Sequence, residues 1–202
     1  MLTLDNGKSH RLGLTRFDVA DTNVIFQLHN DPEVMRFLNG GEPTPRHIIV
    51  AETMPLLMDF VADDVFGFWK VVDLNDVFLG WCSLRPSAFG ADSIANTHAK
   101  QAQLGYRFCR ENWGQGYCSE ALQRLVKKCF ETKAVQKIIA TTYEENLASI
   151  RIMEKLGMTF SRSFKWDGSL SAGTTYQPQQ DQWPGLDVEY ALERKDWLAF
   201  NA

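Results

Sequence analysis

Apolar and polar positions follow two different periods along this chain, and together they predict strands and helices in a mixed order. Alternating or wholly apolar runs rich in β-branched and aromatic residues predict strands. These strands cover residues 11–14, 65–72, 77–84, 98–107, 137–142, 159–164 and 187–193. Helices are predicted where apolar residues recur every three or four positions, at 18–28, 31–38, 46–60, 119–132 and 146–156. The interleaving of both elements predicts a mixed α/β (α+β) fold.

Two stretches show neither period. Residues 86–97 are expected to form a loop, and residues 167–186, which are rich in Gly, Ser, Thr, Gln and Pro, a long loop or a lid. The sequence contains no internal repeat, and a length of 202 residues suits one domain with a substantial core. We therefore expect a single domain over residues 1–202.

A glycine turn lies between a predicted strand and a predicted helix. Gly114 and Gly116 follow the strand residues 104–108 and open the helix 119–132. Such a turn leaves backbone N–H groups unpaired at the positive end of the helix dipole, where they bind an anion, most often a phosphate. Glycine also permits positive φ angles and a close approach of the ligand. An ordinary strand-to-helix turn has the same pattern, so the assignment of a ligand needs further evidence.

The residues that follow Gly116 separate three kinds of phosphate loop. A mononucleotide loop needs Gly-Lys-Ser/Thr, whereas Gly116 is followed by Tyr117 and Cys118. A dinucleotide loop needs a third small residue and an acid about 20 residues further on, at the end of a second strand. Ser119 fits the first requirement poorly, and Glu131 lies inside a predicted helix. A nicotinamide oxidoreductase is thus disfavoured, and a third kind of loop binds the pyrophosphate of coenzyme A.

Several blocks of the sequence resemble one protein family. Residues 113–122 (Trp-Gly-Gln-Gly-Tyr-Cys-Ser-Glu-Ala-Leu) resemble the acetyl-CoA pyrophosphate loop of the GNAT superfamily of N-acetyltransferases, and more narrowly its RimJ/RimL-like (ribosomal-protein N-acetyltransferase) branch. Residues 146–158 resemble the family's Asn-x-x-Ser…Glu-Lys-Leu-Gly-Phe helix, with Met158 in place of Phe. Residues 29–38 resemble the N-terminal, substrate-side segment of proteins in that branch, and residues 188–192 resemble their C-terminal segment. The resemblance spans nearly the whole chain in the expected order.

The resemblance implies a fold and an activity. The implied fold is a single GNAT-like domain, whose mixed, splayed central sheet is flanked by helices and holds the pantetheine arm of acetyl-CoA between two diverging strands. The implied activity is the direct transfer of an acetyl group from acetyl-CoA to a primary amine, on a protein N-terminus or a small molecule. A non-catalytic acyl-CoA-binding module of the same fold is the alternative.

The resemblance also implies a set of cofactor contacts. Backbone N–H groups of the loop are expected to hold the pyrophosphate, and these residues are Gln115, Gly116, Tyr117, Cys118 and Ser119. Backbone groups of Tyr106 and Phe108 are expected to hold the pantetheine and the acetyl carbonyl. Asn146 is expected to contact the cofactor arm, and its place at a helix start also suits an N-cap.

Acetyl transfer needs a proton for the departing thiolate and a way to remove a proton from the amine. By resemblance Ser149 is the candidate catalytic acid, because Met153 stands where many family members have a tyrosine. The base stays open, since Gln103 stands where this branch often has a glutamate and cannot accept a proton. The possible substitutes are His98, Glu144 and Glu145. Alternatively, the acceptor loses its proton to solvent on binding.

Two other side chains of the loop are interpreted as structural. Glu120 lies in the first helical turn, where a carboxylate complements the helix dipole. A thiol at a helix N-terminus can act as a nucleophile, but no His/Asp arrangement accompanies Cys118, and the loop needs a small residue at this position.

Net charge, apolar runs and cysteine spacing restrict the kinds of partner, compartment and metal site that the sequence predicts. A net charge of −4 does not indicate a nucleic-acid surface, and no run approaches the roughly 18 apolar residues of a membrane span. The N-terminus lacks the layout of a signal peptide. The four cysteines are scattered and have no histidine at zinc spacing, which favours free thiols in a reducing cytoplasm and no metal site.

The uneven distribution of charge bears on the acceptor. Residues 103–165 carry eleven Lys/Arg and six Asp/Glu, a net charge of +5 that suits a polyphosphate cofactor. The remaining residues carry −9, which suits a cationic amine, although a solvated surface of mixed charge explains both values. A protein α-amine, a free amino acid, a polyamine and an amino-sugar drug all stay open as acceptors, as do a monomer and a homodimer.

Overall fold

A seven-stranded mixed sheet organises the protein in a computed structural model that describes residues 11–59, 64–86, 100–165 and 184–200. The strands are β1 (Gly13–Thr15), β2 (Gly67–Val72), β3 (Phe78–Pro86), β4 (Gln101–Phe108), β5 (Lys137–Tyr143), β6 (Thr159–Phe164) and β7 (Asp187–Glu193). Their order across the sheet is β1-β2-β3-β4-β5-β7-β6, with β4–β5 parallel and the other neighbouring pairs antiparallel. All seven predicted strands are confirmed, with small shifts at their ends, while residues 98 and 99 of the strand predicted at 98–107 lie outside the described residues.

The predicted helices are confirmed as well. The helices are α1 (Thr22–Leu28), α2 (Pro32–Asn39), α3 (Arg46–Ile48), α4 (Met54–Leu57), α5 (Tyr117–Thr132), α6 (Leu147–Lys155) and α7 (Arg194–Phe200). A π-helical segment, Ile49–Thr53, joins α3 to α4, so the predicted helix at 46–60 changes its hydrogen-bond pattern in the middle. The loops predicted at 86–97 and 167–186, the second also as a lid, lie largely outside the described residues.

Helix α2 illustrates how local sequence sets the ends of a helix. The Asp31 carboxylate accepts hydrogen bonds from two N–H groups of the first turn. Pro32 follows at the first helical position, where a missing N–H removes no helical bond. Gly40, with a φ of 75°, ends the helix in the left-handed region. The capping residues therefore define both ends of α2.

Two apolar clusters cover opposite faces of the sheet. Leu122 and Leu125 of α5 pack in one cluster with Trp69 of β2. The neighbouring Phe68 belongs to the other cluster, together with Ile25 of α1 and residues of α4. Because successive strand residues point to opposite faces, α5 covers one face of the sheet while α1 and α4 cover the other.

Helix α7 was not predicted from the sequence. It begins at Arg194 directly after β7 ends at Glu193, so no glycine or proline separates the two elements. The Trp197 ring packs against Phe130 of α5, with 5.4 Å between ring centroids. The Arg194 guanidinium donates to the carbonyl of Lys133 at 2.9 Å. Contacts with α5, rather than local turn signals, therefore define this helix.

The sheet opens between β4 and β5, as the resemblance implied. Their parallel pairing runs only from Gln101↔Lys137 to Gln103↔Ile139, although β4 continues to Phe108. On its other side β5 pairs with β7 along its whole length, up to Tyr143. The two central strands therefore diverge after Gln103, and the opening lies beside the glycine turn.

Candidate functional site

The glycine turn presents unpaired backbone donors at the start of α5. Gly114 and Gly116 have φ angles of 73° and 81°, and Gly116 caps the helix without a side-chain hydrogen bond. The first helical bond runs from the Glu120 N–H to the Gly116 carbonyl at 3.0 Å. The N–H groups of residues 117–119 thus have no acceptor within the helix, and the helix dipole adds to their positive potential. This arrangement can hold an anion.

Side chains tie this turn to the end of β4. The Trp113 indole N–H donates to the Phe108 carbonyl at 2.8 Å. The Gln115 side-chain amide donates to the Glu111 carbonyl at 2.8 Å. Both bonds close short loops within the same stretch of chain, so the turn keeps its shape without a ligand.

A distant arginine adds charge to the turn. Arg11 Nη2 lies 2.9 Å from a carboxylate oxygen of Glu120 and donates to the Gln115 carbonyl at 3.3 Å. Its guanidinium carbon lies 4.7 Å from the centre of the Tyr117 ring. The pairing of Glu120 with Arg11 agrees with a structural role for this carboxylate. The sequence analysis missed Arg11, and no local spacing connects it to a motif more than 100 residues away.

Backbone groups of β4 face the opening of the sheet. The Cys109 N–H donates to the Leu79 carbonyl of β3 at 3.0 Å. Because the hydrogen-bonding direction alternates along an antiparallel strand, the backbone groups of Tyr106 and Phe108 point the other way, toward β5. Beyond Gln103 they have no strand partner there, since the β4–β5 register has ended. The N–H groups of these two residues therefore face the opening of the sheet, while the Phe108 carbonyl accepts from the Trp113 indole.

The Tyr106 side chain meets Ser149 on α6. Tyr106 Oη lies 2.7 Å from Ser149 Oγ and donates to the Ser149 carbonyl at 3.1 Å. Burial raises the pKa of the Tyr106 phenol far above its usual range, so the phenol stays protonated at neutral pH. The sequence analysis considered only the backbone of Tyr106, because two residues on different elements gave no local pattern.

Asn146 sets the start of α6 and thereby the position of Ser149. Its side-chain oxygen accepts from the Ser149 N–H at 3.3 Å, so the predicted N-cap is confirmed. Its amide nitrogen donates to the Thr142 hydroxyl of β5 at 3.0 Å. One turn further along, Met153 is fully buried in the core, which leaves Ser149 as the polar side chain of this helix face.

The candidate bases lie at the end of β5. Glu144 and Glu145 are exposed, and a Glu144 oxygen accepts from the Leu186 N–H at 2.8 Å. Asp187 is half-buried nearby, and burial followed by the Glu144 charge raises the pKa of its carboxyl. Gln103 lies on β4, and His98 is outside the described residues.

Cys118 does not have the environment of a nucleophile. Burial, and to a smaller extent the neighbouring Cys82, raises the pKa of its thiol well above the usual range, so the thiol stays protonated at neutral pH. Its side chain packs against the core beneath α5. All four cysteines of the chain are free thiols.

The glycine turn, the opening of the sheet and the helix after it agree with a family comparison. A family model described as an acetyltransferase (GNAT) domain matches residues 11–159. The chain belongs to the GNAT acetyltransferase family. This GNAT protein is accordingly an acetyl-CoA-dependent N-acetyltransferase.

Individual relatives support this family assignment. The Bacillus subtilis protein YkkB, which is uncharacterised, is 33% identical over 160 residues and covers 78% of this chain and 87% of its own length. The Aspergillus fumigatus protein named FsC-acetyl coenzyme A-N(2)-transacetylase is 26% identical over 191 residues, or 93% of this chain and 76% of its own. A Vibrio cholerae spermidine N-acetyltransferase, solved with CoA and spermine, has a TM-score of 0.67 at 15% identity over 93% of this chain and 98% of its own. At that identity the last likeness concerns the fold alone.

Within residues 11–59, 64–86, 100–165 and 184–200, no group of three or more His, Cys, Asp or Glu side chains could hold a metal ion. In the same residues no helix is both long and apolar enough to cross a bilayer.

Proposed function

We propose that this protein binds acetyl-CoA across the opening between β4 and β5 and transfers the acetyl group directly to a primary amine. The proposal rests on two neighbouring rows of backbone N–H groups that have no partner within the sheet or the helix. One row lies at Tyr106 and Phe108, and the other at the N–H groups of residues 117–119. The opening suits an extended arm, and the helix start suits a diphosphate.

The cofactor contacts follow from these donors. The pyrophosphate lies against Gln115, Gly116, Tyr117, Cys118 and Ser119, and Gly116 permits the left-handed backbone that this turn adopts. The pantetheine amides pair with Tyr106 and Phe108 as an added strand would. Asn146 lies at the start of α6, beside the arm.

The chemical step uses the pair formed by Tyr106 and Ser149. The amine nitrogen attacks the thioester carbonyl carbon, the carbon–sulfur bond breaks, and the Ser149 hydroxyl donates its proton to the departing thiolate while it regains a proton from solvent. Tyr106 orients that hydroxyl and stays protonated because of its burial. Holding both reactants together contributes much of the acceleration, since well-oriented pairs reach effective molarities of ~10⁵ M or more.

The proton of the amine leaves through solvent in this proposal. Gln103 cannot accept a proton, and the exposed Glu144 is held by the Leu186 N–H. Under this mechanism kcat/KM rises with pH toward the pKa of the acceptor amine itself, and different amines shift the profile accordingly.

Two finer assignments belong to the same proposal. The run Trp113-Gly114-Gln115-Gly116 supports a place in the RimJ/RimL-like branch. The four free thiols support a reducing cytoplasm.

Calorimetric titration with acetyl-CoA tests the cofactor site. Gly116→Ala strains a residue whose φ is 81° without adding charge, and Gly116→Asp adds a carboxylate facing the diphosphate. We expect the aspartate variant to bind acetyl-CoA at least about 100-fold more weakly than wild type, and the alanine variant to lose much less. Equal losses in both variants, or no binding by wild type, would contradict this site.

A thiol-release assay with a panel of amines tests the reaction. Release of coenzyme A with at least one amine supports the transferase. Tight acetyl-CoA binding without release for any amine would instead support a non-catalytic acyl-CoA-binding module.

A further inference from the structure

Arg107 lies on the face of β4 that points away from Tyr106. In the pairing of β3 with β4 it stands opposite Trp81, and Gly105 stands opposite Ser83. Its guanidinium carbon lies 5.4 Å from the centre of the Trp81 ring, and its Nη1 lies 2.7 Å from Nε2 of His29, the residue that caps the end of α1. Arg107 therefore occupies the space between the sheet and the end of α1.

His29 does not neutralise the positive charge of Arg107. A guanidinium only donates hydrogen bonds, so the imidazole Nε2 must accept and its proton must sit on Nδ1. Burial, together with the charge of Arg107, lowers the pKa of His29 to about 2, which keeps the ring neutral. Burial also lowers the pKa of Arg107 to about 10, so the guanidinium stays charged at neutral pH.

Arg107 has no carboxylate partner among the described residues, where its contacts are those to His29 and Trp81. Its Nε and the indole Nε1 of Trp81 are buried without a hydrogen-bond partner, as is the Ser83 hydroxyl. Buried donors in native proteins almost always have an acceptor, and an unpaired charge is costly to bury. This face of β3 and β4 therefore has donors and a positive charge in excess of acceptors.

A ligand can reach this charge. Arg107 is only partly buried, and Nη2, which bonds to no described residue, is not among its buried atoms. Tyr106, the next residue along β4, faces the opening where the acetyl group lies under the proposed function. Consecutive residues rise only about 3.3 Å along a strand, and an opening between two strands gives onto both faces of the sheet. One small molecule in this opening can therefore reach the guanidinium from the side of β4.

We propose that Arg107 binds a carboxylate of the acceptor, so that the substrate is an amino-acid-like compound with a carboxylate close to its reactive amine. A carboxylate offers only acceptors and a negative charge, which match the unpaired donors and the guanidinium. A polyamine or an aminoglycoside would instead bring further positive charge beside Arg107. His29 is a positioning residue, since its neutral ring aims the guanidinium. The inference rests on the proposed function and names its substrate class.

Wild-type protein tests the inference without any mutation. Steady-state thiol release is measured with free amino acids, the matching amino-acid amides, spermidine and an aminoglycoside. We expect kcat/KM for amino acids to exceed that for their amides at least tenfold, mainly through KM, because the amide lacks the charge that Arg107 recognises. Equal rates for acids and amides, or a preference for spermidine, would overturn the assignment.

Variants of Arg107 test whether this residue causes the preference for amino acids over their amides. Arg107→Gln should bring the acid-to-amide ratio of kcat/KM close to one. Arg107→Lys should keep part of this ratio, because the charge remains while the two-pronged geometry is lost. Lys127→Gln removes the same unit charge from α5, where its side chain is 43% exposed, and should keep the wild-type ratio. A wild-type ratio in a folded Arg107→Gln protein would also overturn the assignment.

Acetyl-CoA titration separates this inference from the proposed function. If Arg107→Gln binds acetyl-CoA like wild type and loses only the acid-to-amide ratio, the carboxylate site is supported. Wild type that releases coenzyme A equally well with acids and amides contradicts the Arg107 assignment alone. Wild type that binds no acetyl-CoA contradicts the proposed function itself.

Discussion

The glycine turn and the surroundings of Arg107 lie at one end of the same strand but are built in opposite ways. The turn consists of backbone groups from one continuous stretch, residues 113–120, and its shape is held by bonds to the carbonyls of Phe108 and Glu111 just before that stretch. The Arg107 site consists of side chains from β3, β4 and the end of α1. Backbone donors suit a cofactor common to a family, while side chains from separate elements can change with the acceptor.

The largest expected effect damages both regions at once. Gly80 of β3 has a φ of 150°, and a Cβ there would lie 2.5 Å from the Arg107 carbonyl oxygen and 2.6 Å from Phe108 Cα. Because both atoms belong to the backbone of β4, Gly80→Ala should destabilise the fold by about 3 to 5 kcal/mol. Denaturant unfolding measures the loss. Gly114→Ala is the control, since its Cβ would meet nothing within 4 Å, and a loss as large there would contradict the clash.

The next effect concerns chemistry on the cofactor side. Ser149→Ala should lower kcat about 100-fold, because the departing thiolate loses its proton donor. Tyr106→Phe should lower kcat less, about tenfold, because it removes only the group that orients the hydroxyl. Single-turnover kinetics with acetyl-CoA measure both, and acetyl-CoA affinity should stay within about threefold of wild type.

Thr132→Ala removes a hydroxyl at the far end of α5 and serves as the control for these two variants. It should leave kcat unchanged. An unchanged kcat in Ser149→Ala would show that the thiolate takes its proton from water.

A third prediction concerns stability at the Arg107 site as pH falls. The pKa of His29 is about 2 in the folded state and about 6.5 in the unfolded state, so between these values the unfolded chain binds the extra proton. His29 should therefore not affect the free energy of unfolding above pH 6.5. Below pH 6.5 the free energy of unfolding should fall by up to about 1.4 kcal/mol for each pH unit. Denaturant unfolding at pH 7.5, 6.5 and 5.5 measures this slope.

His29→Gln keeps a hydrogen-bond acceptor for Arg107 but cannot titrate, so the slope below pH 6.5 should become smaller by the His29 contribution. His47→Gln changes an exposed histidine and should leave the wild-type slope. The same slope in wild type and His29→Gln would contradict the buried neutral imidazole.

The smallest effect concerns the ion pair beside the glycine turn. The two partners should shift acetyl-CoA affinity in opposite directions, because Arg11 attracts the diphosphate and Glu120 repels it. Arg11→Gln should weaken binding by less than about fivefold, and Glu120→Gln should strengthen it slightly, since exposed charges are well screened. Calorimetry at low and high salt measures both, and the differences should shrink as salt rises. Shifts of the same sign would show that the pair acts only by shaping the turn.

The sequence by itself determined the features that depend on neighbouring residues. Periodicity located the strands and α5, and Asn146 was recognised as an N-cap because its bond to the Ser149 N–H spans three residues. The glycine turn was recognised for the same reason. Helix α5 nonetheless starts at Tyr117, two residues before the predicted position, because Gly116 itself serves as the cap in a left-handed conformation.

Only the tertiary structure decided which distant residues meet. Tyr106 and Ser149 are 43 positions apart, His29 and Arg107 are 78 apart, and Arg11 and Glu120 are 109 apart. None of these pairs leaves a periodic or local signal, because their contacts depend on strand order, register and the packing of α1 and α6 on the sheet. Helical and strand periods report which side of an element is buried, whereas a side-chain pair also requires two elements to be placed against each other.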